Sequence, residues 1–183
     1  MLTWTDLEAL VQDGHLILWD PRKHGKVLPN GRALYMVPAV FDAILNGPWP
    51  GTMPGDRLSL ARERKMAMRQ VLERYVIGGH LNLERDIAEL GSKILRPEHR
   101  GFWQFRSQGP WVETRLFGFF ARPGAFVATD FAARDAVGDY RVRYSSSSAT
   151  WAALAGSIPF MMGPYPVETP EHLQSYLDRD DDA

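Results

Sequence analysis

Apolar residues recur at helical intervals near the start of the chain, where Leu7, Leu10 and Val11 follow a Thr5/Glu8 pair with capping-box spacing and Gly14 ends the run. A short first helix is expected. His15 to Trp19 is a brief apolar run closed by Asp20-Pro21, the form of a buried strand. Residues 22–32 are polar and broken by Gly25, Pro29 and Gly31, so Arg22, Lys23, His24 and Lys26 read as an exposed charged loop rather than a phosphate cradle. Pro38 opens a helix carrying Val40, Phe41, Ile44 and Leu45, closed by Asn46-Gly47-Pro48.

The Gly/Pro-rich stretch over residues 46–56 reads as a linker that sets off a helical subdomain over residues 1–50, with Trp49 packed against the core. From Asp56 to Ile77 the apolar stripe Ala61, Met68, Leu72, Tyr75 and Val76 predicts a long helix stopped by Gly78-Gly79. Met66 and Met68 read as core filler. Leu83, Ile87, Leu90 and Ile94 recur every three or four residues and predict another helix ending near Pro97. Three aromatic and β-branched runs follow, Phe102 to Arg106, Val112 to Phe120 and Ala125 to Phe131, separated by turn residues at Gly109-Pro110 and Pro123-Gly124. Such short connections require an antiparallel meander, with the Asp56–Ile77 helix covering one aromatic face. In the middle run Glu113, Arg115, Phe117 and Phe119 share one face and Thr114, Leu116, Gly118 and Phe120 the other. Beyond it Tyr140, Val142 and Tyr144 alternate with Arg141 and Arg143, the Ser145–Ser148 run caps a small helix around Trp151 and Leu154, and Thr169-Pro170 starts a last one through Leu177. The fold class is α+β in one domain over residues 1–183: N-terminal helices, a small antiparallel sheet, then short C-terminal helices.

Composition narrows the functional classes. The chain has 183 residues, no cysteine and a formal net charge of −1, so disulfide frameworks, thiolate metal sites and steering of nucleic acid by total charge are excluded. The charge is unevenly spread, at +4 between Asp56 and Arg115 and −5 elsewhere. No stretch is apolar enough to span a membrane and the opening residues lack the form of a signal peptide, so a cytoplasmic location is expected. The five histidines are scattered without ligand spacing, and the phosphate-loop, dinucleotide, zinc-hydrolase and serine-hydrolase motifs are absent, so no metal or cofactor is expected.

One resemblance remains. Leu95-Arg96-Pro97, Gly101 to Ser107, Thr114 to Gly118 and Phe126-Val127-Ala128 followed by Arg134 resemble, in order and type, the RelE/ParE toxin superfamily, in particular its phage-derived HigB-like branch, over residues 95–151. Together with the linker, this implies a RelE-like core over residues 56–177. The resemblance implies a toxin-like protein of a bacterial or phage toxin–antitoxin system, acting as a ribosome-dependent mRNA endoribonuclease, with an antitoxin protein and RNA or the ribosome as partners. Carried over, Arg106, Arg115 and Arg134 are the cationic catalytic positions, because clustered guanidinium groups stabilise the charge that builds on a phosphate in the transition state. Arg62, Lys65 and Arg69, which with Arg57 and Arg64 form either a basic ridge for RNA or simply the solvated face of the Asp56–Ile77 helix, are candidate RNA contacts together with Arg100. Where the family carries a lysine pair after the third strand, this chain has Arg134 between Asp130 and Asp135. That departure keeps a second class open: a non-enzymatic phage or mobile-element protein that binds and inhibits a host protein. Structural roles for Arg106, bridging to Glu113, and for Arg115, stacking on Trp103 or Phe117, also stand open.

Overall fold

In the computed structural model, residues 2–21, 32–46, 58–83, 85–90, 101–108 and 113–156 are described. Among these residues four helices are interspersed with a six-stranded mixed sheet. The first helix, α1 (Trp4–Gln12), is capped by Thr3, whose hydroxyl accepts from the Asp6 N–H while the Asp6 carboxylate accepts from the Thr3 N–H. The capping box therefore lies two residues earlier than the expected Thr5/Glu8 pair. Gly14, at φ 76°, ends the element as expected.

Two short strands follow, β1 (Ile17–Leu18) and β2 (Ala33–Met36), paired antiparallel. Helix α2 (Pro38–Leu45) has proline in its first turn as the sequence implies. Helix α3 (Leu58–Val76) ends in a Schellman motif: Gly78, at φ 77°, donates to the Tyr75 carbonyl and Gly79 to that of Arg74. Its residues Met68, Leu72, Tyr75 and Val76 are buried, as the stripe predicts.

The sheet continues through β3 (Ile87–Glu89), β4 (Phe102–Arg106), β5 (Thr114–Arg122) and β6 (Ala125–Ala133). Its order is β1-β2-β6-β5-β4-β3. The meander β4-β5-β6 is antiparallel as expected, with Pro123-Gly124 and a glycine φ of 71° making the second turn. Among the named strands β2 and β6 pair in parallel, Ala33 opposite Ala125 and Met36 opposite Ala128. An arrangement of helices first and a purely antiparallel sheet afterwards is thus corrected: β1 and β2 precede α2 and α3 in the chain yet share the sheet with the meander.

The helix expected around Ile87 is instead the edge strand β3, Ile87 lying opposite Phe105 and Glu89 opposite Trp103. The turn ahead of it closes on itself, the Asp86 N–H donating to the Asn82 carbonyl and the Asp86 carboxylate accepting from the Asn82 N–H at 3.0 Å. Backbone pairing with β4 then replaces the intrahelical ladder that the spacing of Leu83, Ile87 and Leu90 suggests.

The helix that follows the meander, α4 (Tyr140–Gly156), starts ahead of the serine run. Asp139 accepts from the Arg141 N–H at 2.9 Å, and Ser147 lies buried in mid-helix, so the serines are helix interior and not its cap. Residues 140–144 are helical rather than extended.

Aromatic contacts identify the two layers. Tyr75 of α3 meets Phe105, which meets Phe126, which meets Phe120 and through it Trp103. On the opposite face Phe102, Phe117 and Phe119 pack against Tyr144, Tyr140 and Trp151 of α4. Trp103, Phe105, Leu116, Phe120 and Val127 are all buried. Among the described residues no helix is long and apolar enough to cross a membrane. Trp49, the residue 46–56 linker beyond Asn46, the loop over residues 22–31 and the helix from Thr169 lie outside the described residues.

Candidate arginine cluster

Strand alternation puts Arg106, at the end of β4, and Arg115, near the start of β5, on the face that α4 covers, and the register sets them opposite each other. The two strand ends are clamped beside them. The Ser107 and Thr114 hydroxyls lie 2.8 Å apart, the Thr114 N–H donates to the Ser107 Oγ at 2.9 Å, and the Ser107 N–H donates to the Thr114 carbonyl. The chain leaving β6 returns to the same place, because the Arg134 N–H donates to the Glu113 carbonyl at 2.7 Å. A 3-10 turn, Arg134–Ala136, follows.

Glu113 is the hub. Its Oε2 accepts from Arg115 Nη2 and, at 3.1 Å, from Arg134 Nη1. Partial burial acts to raise its carboxyl pKa, but the Arg115 hydrogen bond and charge, then the charges of Arg134 and Arg106, hold it below the usual carboxylate range. Arg115 is buried and spends a second donor on the Thr114 carbonyl at 3.1 Å. Its partners are thus a carboxylate and main chain rather than Trp103 or Phe117. Arg106 is half-buried, and with the Gln104 amide oxygen turned toward it, that oxygen accepts from Nε at 2.8 Å. Arg134 keeps 66% of its side chain exposed. Three guanidinium groups thus gather round one carboxylate, one of them sealed in and one largely wet.

Next to this cluster, Asp130 of β6 pairs with Arg143 of α4 at 3.1 Å, and Arg143 also donates to the carbonyls of Ala136 and Val137. The segment after β6 is thereby fixed against α4. Of the expected cationic positions, then, Arg106, Arg115 and Arg134 come together.

The helical basic residues do not join them. Lys65 and Arg69 line an apolar pocket of about 370 Å³ whose other walls are Leu18, Trp19, Phe41 and Ile44, at the β1 edge of the sheet. Lys65 donates to the Leu45 carbonyl at 2.8 Å and so caps α2, and Arg69 pairs with Glu73 one turn on. Arg62 is exposed and Arg64 buried, so the basic residues of α3 do not form one ridge. Arg100 lies outside the described residues. Among the described residues no three His, Asp or Glu side chains assemble as metal ligands.

Two members of the cluster carried weaker signals in the sequence. Glu113 is legible by its spacing, two residues from Arg115 on one strand and hence on one face. Gln104 stands in the same relation to Arg106, two residues away on one strand, but nothing in the sequence shows that its amide serves that guanidinium. No family model, no curated protein and no solved structure matches this chain.

Proposed function

We propose that this chain is a toxin-like protein of the RelE/ParE kind that acts on RNA, a ribosome-dependent mRNA endoribonuclease in its enzymatic form, with an antitoxin as its protein partner. One observation carries the reading: Arg106, Arg115 and Arg134 converge on Glu113 at one end of the sheet. Three fixed positive charges against one negative charge leave a surplus suited to a phosphate. The roles divide by burial. Arg115 is locked to Glu113 and keeps the carboxylate in place; the largely exposed Arg134 presents charge outward, where a phosphate in transition would gather it, and the half-buried Arg106 adds its field from behind. Glu113 is a poor proton acceptor because its arginines hold it ionised, so its task is alignment.

A second reading, a non-enzymatic phage or mobile-element protein that binds and inhibits a host protein, is favoured by a different observation. Among the described residues no histidine or lysine is hydrogen-bonded or ion-paired to the cluster to move a proton. The test is induced expression with and without Arg134→Ala, read as growth and as mapped cleavage of ribosome-bound mRNA. The nuclease reading expects growth arrest and cut messages from the parent chain, and loss of both by about 100-fold or more in the variant at unchanged thermal stability, the range for removal of one transition-state donor. Arrest without cleavage selects the host-protein binder, and no arrest removes the toxin reading.

A further inference from the structure

At the far side of the same strand end, α3 and the turn entering β3 enclose a polar hollow of about 290 Å³. We infer that it is a site for a single nucleotide, taken free or as one unit of single-stranded RNA. The RNA arm of this inference rests on the proposed function; the free-nucleotide arm does not.

The floor is apolar. Ala67 and Val71 stand one turn apart on α3 and offer a surface for the face of a base. The lining also holds three amides, Gln70, Asn82 and Gln108, the His80 imidazole and the Arg85 guanidinium. An amide presents a donor and an acceptor side by side, which is what the edge of a nucleobase demands, and single-stranded RNA exposes those edges. Arg85 adds a fixed charge for the phosphate. At about 290 Å³ the hollow falls just below the usual range for ligand sites, so it takes one nucleotide and not a dinucleotide.

The lining is also held in advance. Arg74 pairs with the buried Asp86 at 2.9 Å, and the Asn82–Asp86 turn is closed by its own hydrogen bonds. The Gln108 Nε2 donates to the Arg85 carbonyl at 2.7 Å and ties that turn to the exit of β4. Meanwhile the side chains of Gln70, His80, Asn82 and Arg85 have no intramolecular hydrogen-bond partner among the described residues. The backbone of the turn is thus fixed while the side-chain donors stay available, so the ordering cost of binding falls on those side chains alone.

Position links the hollow to the cluster. The Arg106 N–H donates to the Asp86 carbonyl at 2.8 Å, and Gln108 is two residues past Arg106. The arginines and the hollow therefore lie on opposite sides of one strand end, and an RNA that engages both passes round the β3 edge between them.

The experiment titrates AMP, GMP, CMP and UMP by calorimetry and a labelled single-stranded RNA by fluorescence anisotropy. It uses the full chain, a Gln70→Ala/Asn82→Ala double variant, Arg85→Ala and Arg134→Ala, all with matched melting curves. The expected result is saturable binding of at least one mononucleotide with a preference among bases, weakened about tenfold or more and made less selective by the double variant. Arg134→Ala leaves mononucleotide binding unchanged and weakens RNA of every sequence. Hollow variants that bind both ligands like the parent chain overturn the inference; a weakened Arg134→Ala in that case preserves the RNA reading. Mononucleotide binding that depends on the hollow, with no binding of RNA, keeps the site and removes the RNA reading. Absence of both overturns both.

Discussion

At Gly118 a β-carbon would stand 2.0 Å from the Val127 carbonyl oxygen and 2.9 Å from the Phe126 ring, closer than any side chain tolerates. The strand register shifts at this residue, so the bulge brings β6 backbone into the space that other residues need. Gly118→Ala should lower stability by at least about 1–3 kcal/mol, since the obstacle is main chain and cannot swing aside. Urea unfolding checks it, and an unchanged midpoint would mean the bulge opens freely. Glu113 permits a prediction of sign. Its folded-state pKa lies below the ordinary 4.5, so the stability it contributes is present above that value and lost as pH falls through the folded pKa. The parent chain should therefore lose more stability on acidification below about pH 5 than Glu113→Gln does, while the variant starts less stable at pH 7. Parallel acid limbs in the two proteins would show the carboxylate to be uncoupled from folding. Both residues illustrate what one-dimensional reading reaches: Glu113 sits where alternation puts it, whereas nothing around Gly118 distinguishes a bulge glycine from an ordinary one.

Among the elements, α4 shows a pattern present in the sequence but masked by a shorter one. Tyr140, Val142 and Tyr144 alternate like a strand, yet Tyr140, Tyr144, Ser147, Trp151 and Leu154 keep the three-and-four spacing of a helix face, and all but the half-buried tyrosines are buried. Val142, the residue that completes the false alternation, is 65% exposed. Trp151→Ala should cost about 3–5 kcal/mol and Val142→Ala within about 0.5, since only the first empties a packed site. Equal melting temperatures for the two would remove α4 from the core. The edge strand β3 erred in the opposite direction: a spacing that suits a helix was overruled by the need of β4 for a partner, a need visible only in three dimensions. The long helix α3 was legible in its extent and its Gly78-Gly79 stop, while Met66, read as core filler, is 51% exposed.

For the molecule as a whole, the meander could be read from the sequence because its contacts are local, and the mixed sheet could not because its defining contact is not. Ala33 to Met36 are buried, with no alternation to mark them, as befits a strand lodged inside a sheet. Their partners on β6 lie across two helices and three other strands in the chain. Tyr75 helps to join these distant pieces: its hydroxyl donates to the Gly124 carbonyl at 3.1 Å, and its ring lies under the Arg32 guanidinium. Burial pushes its phenol far above the ordinary range, so it remains a neutral donor.

The parallel insertion of β2 also sets an order of events during synthesis. The segment Ala33–Met36 leaves the ribosome well before Ala125–Ala128 exists to receive it. Until then its apolar edge has only β1 on one side, the kind of exposed strand that invites wrong partners. The meander, built from neighbouring segments, closes early; the N-terminal strands must wait and add to a finished edge, an addition slowed by the long loop it has to close. The nascent chain therefore carries its first strands before the sheet edge that receives them has been made.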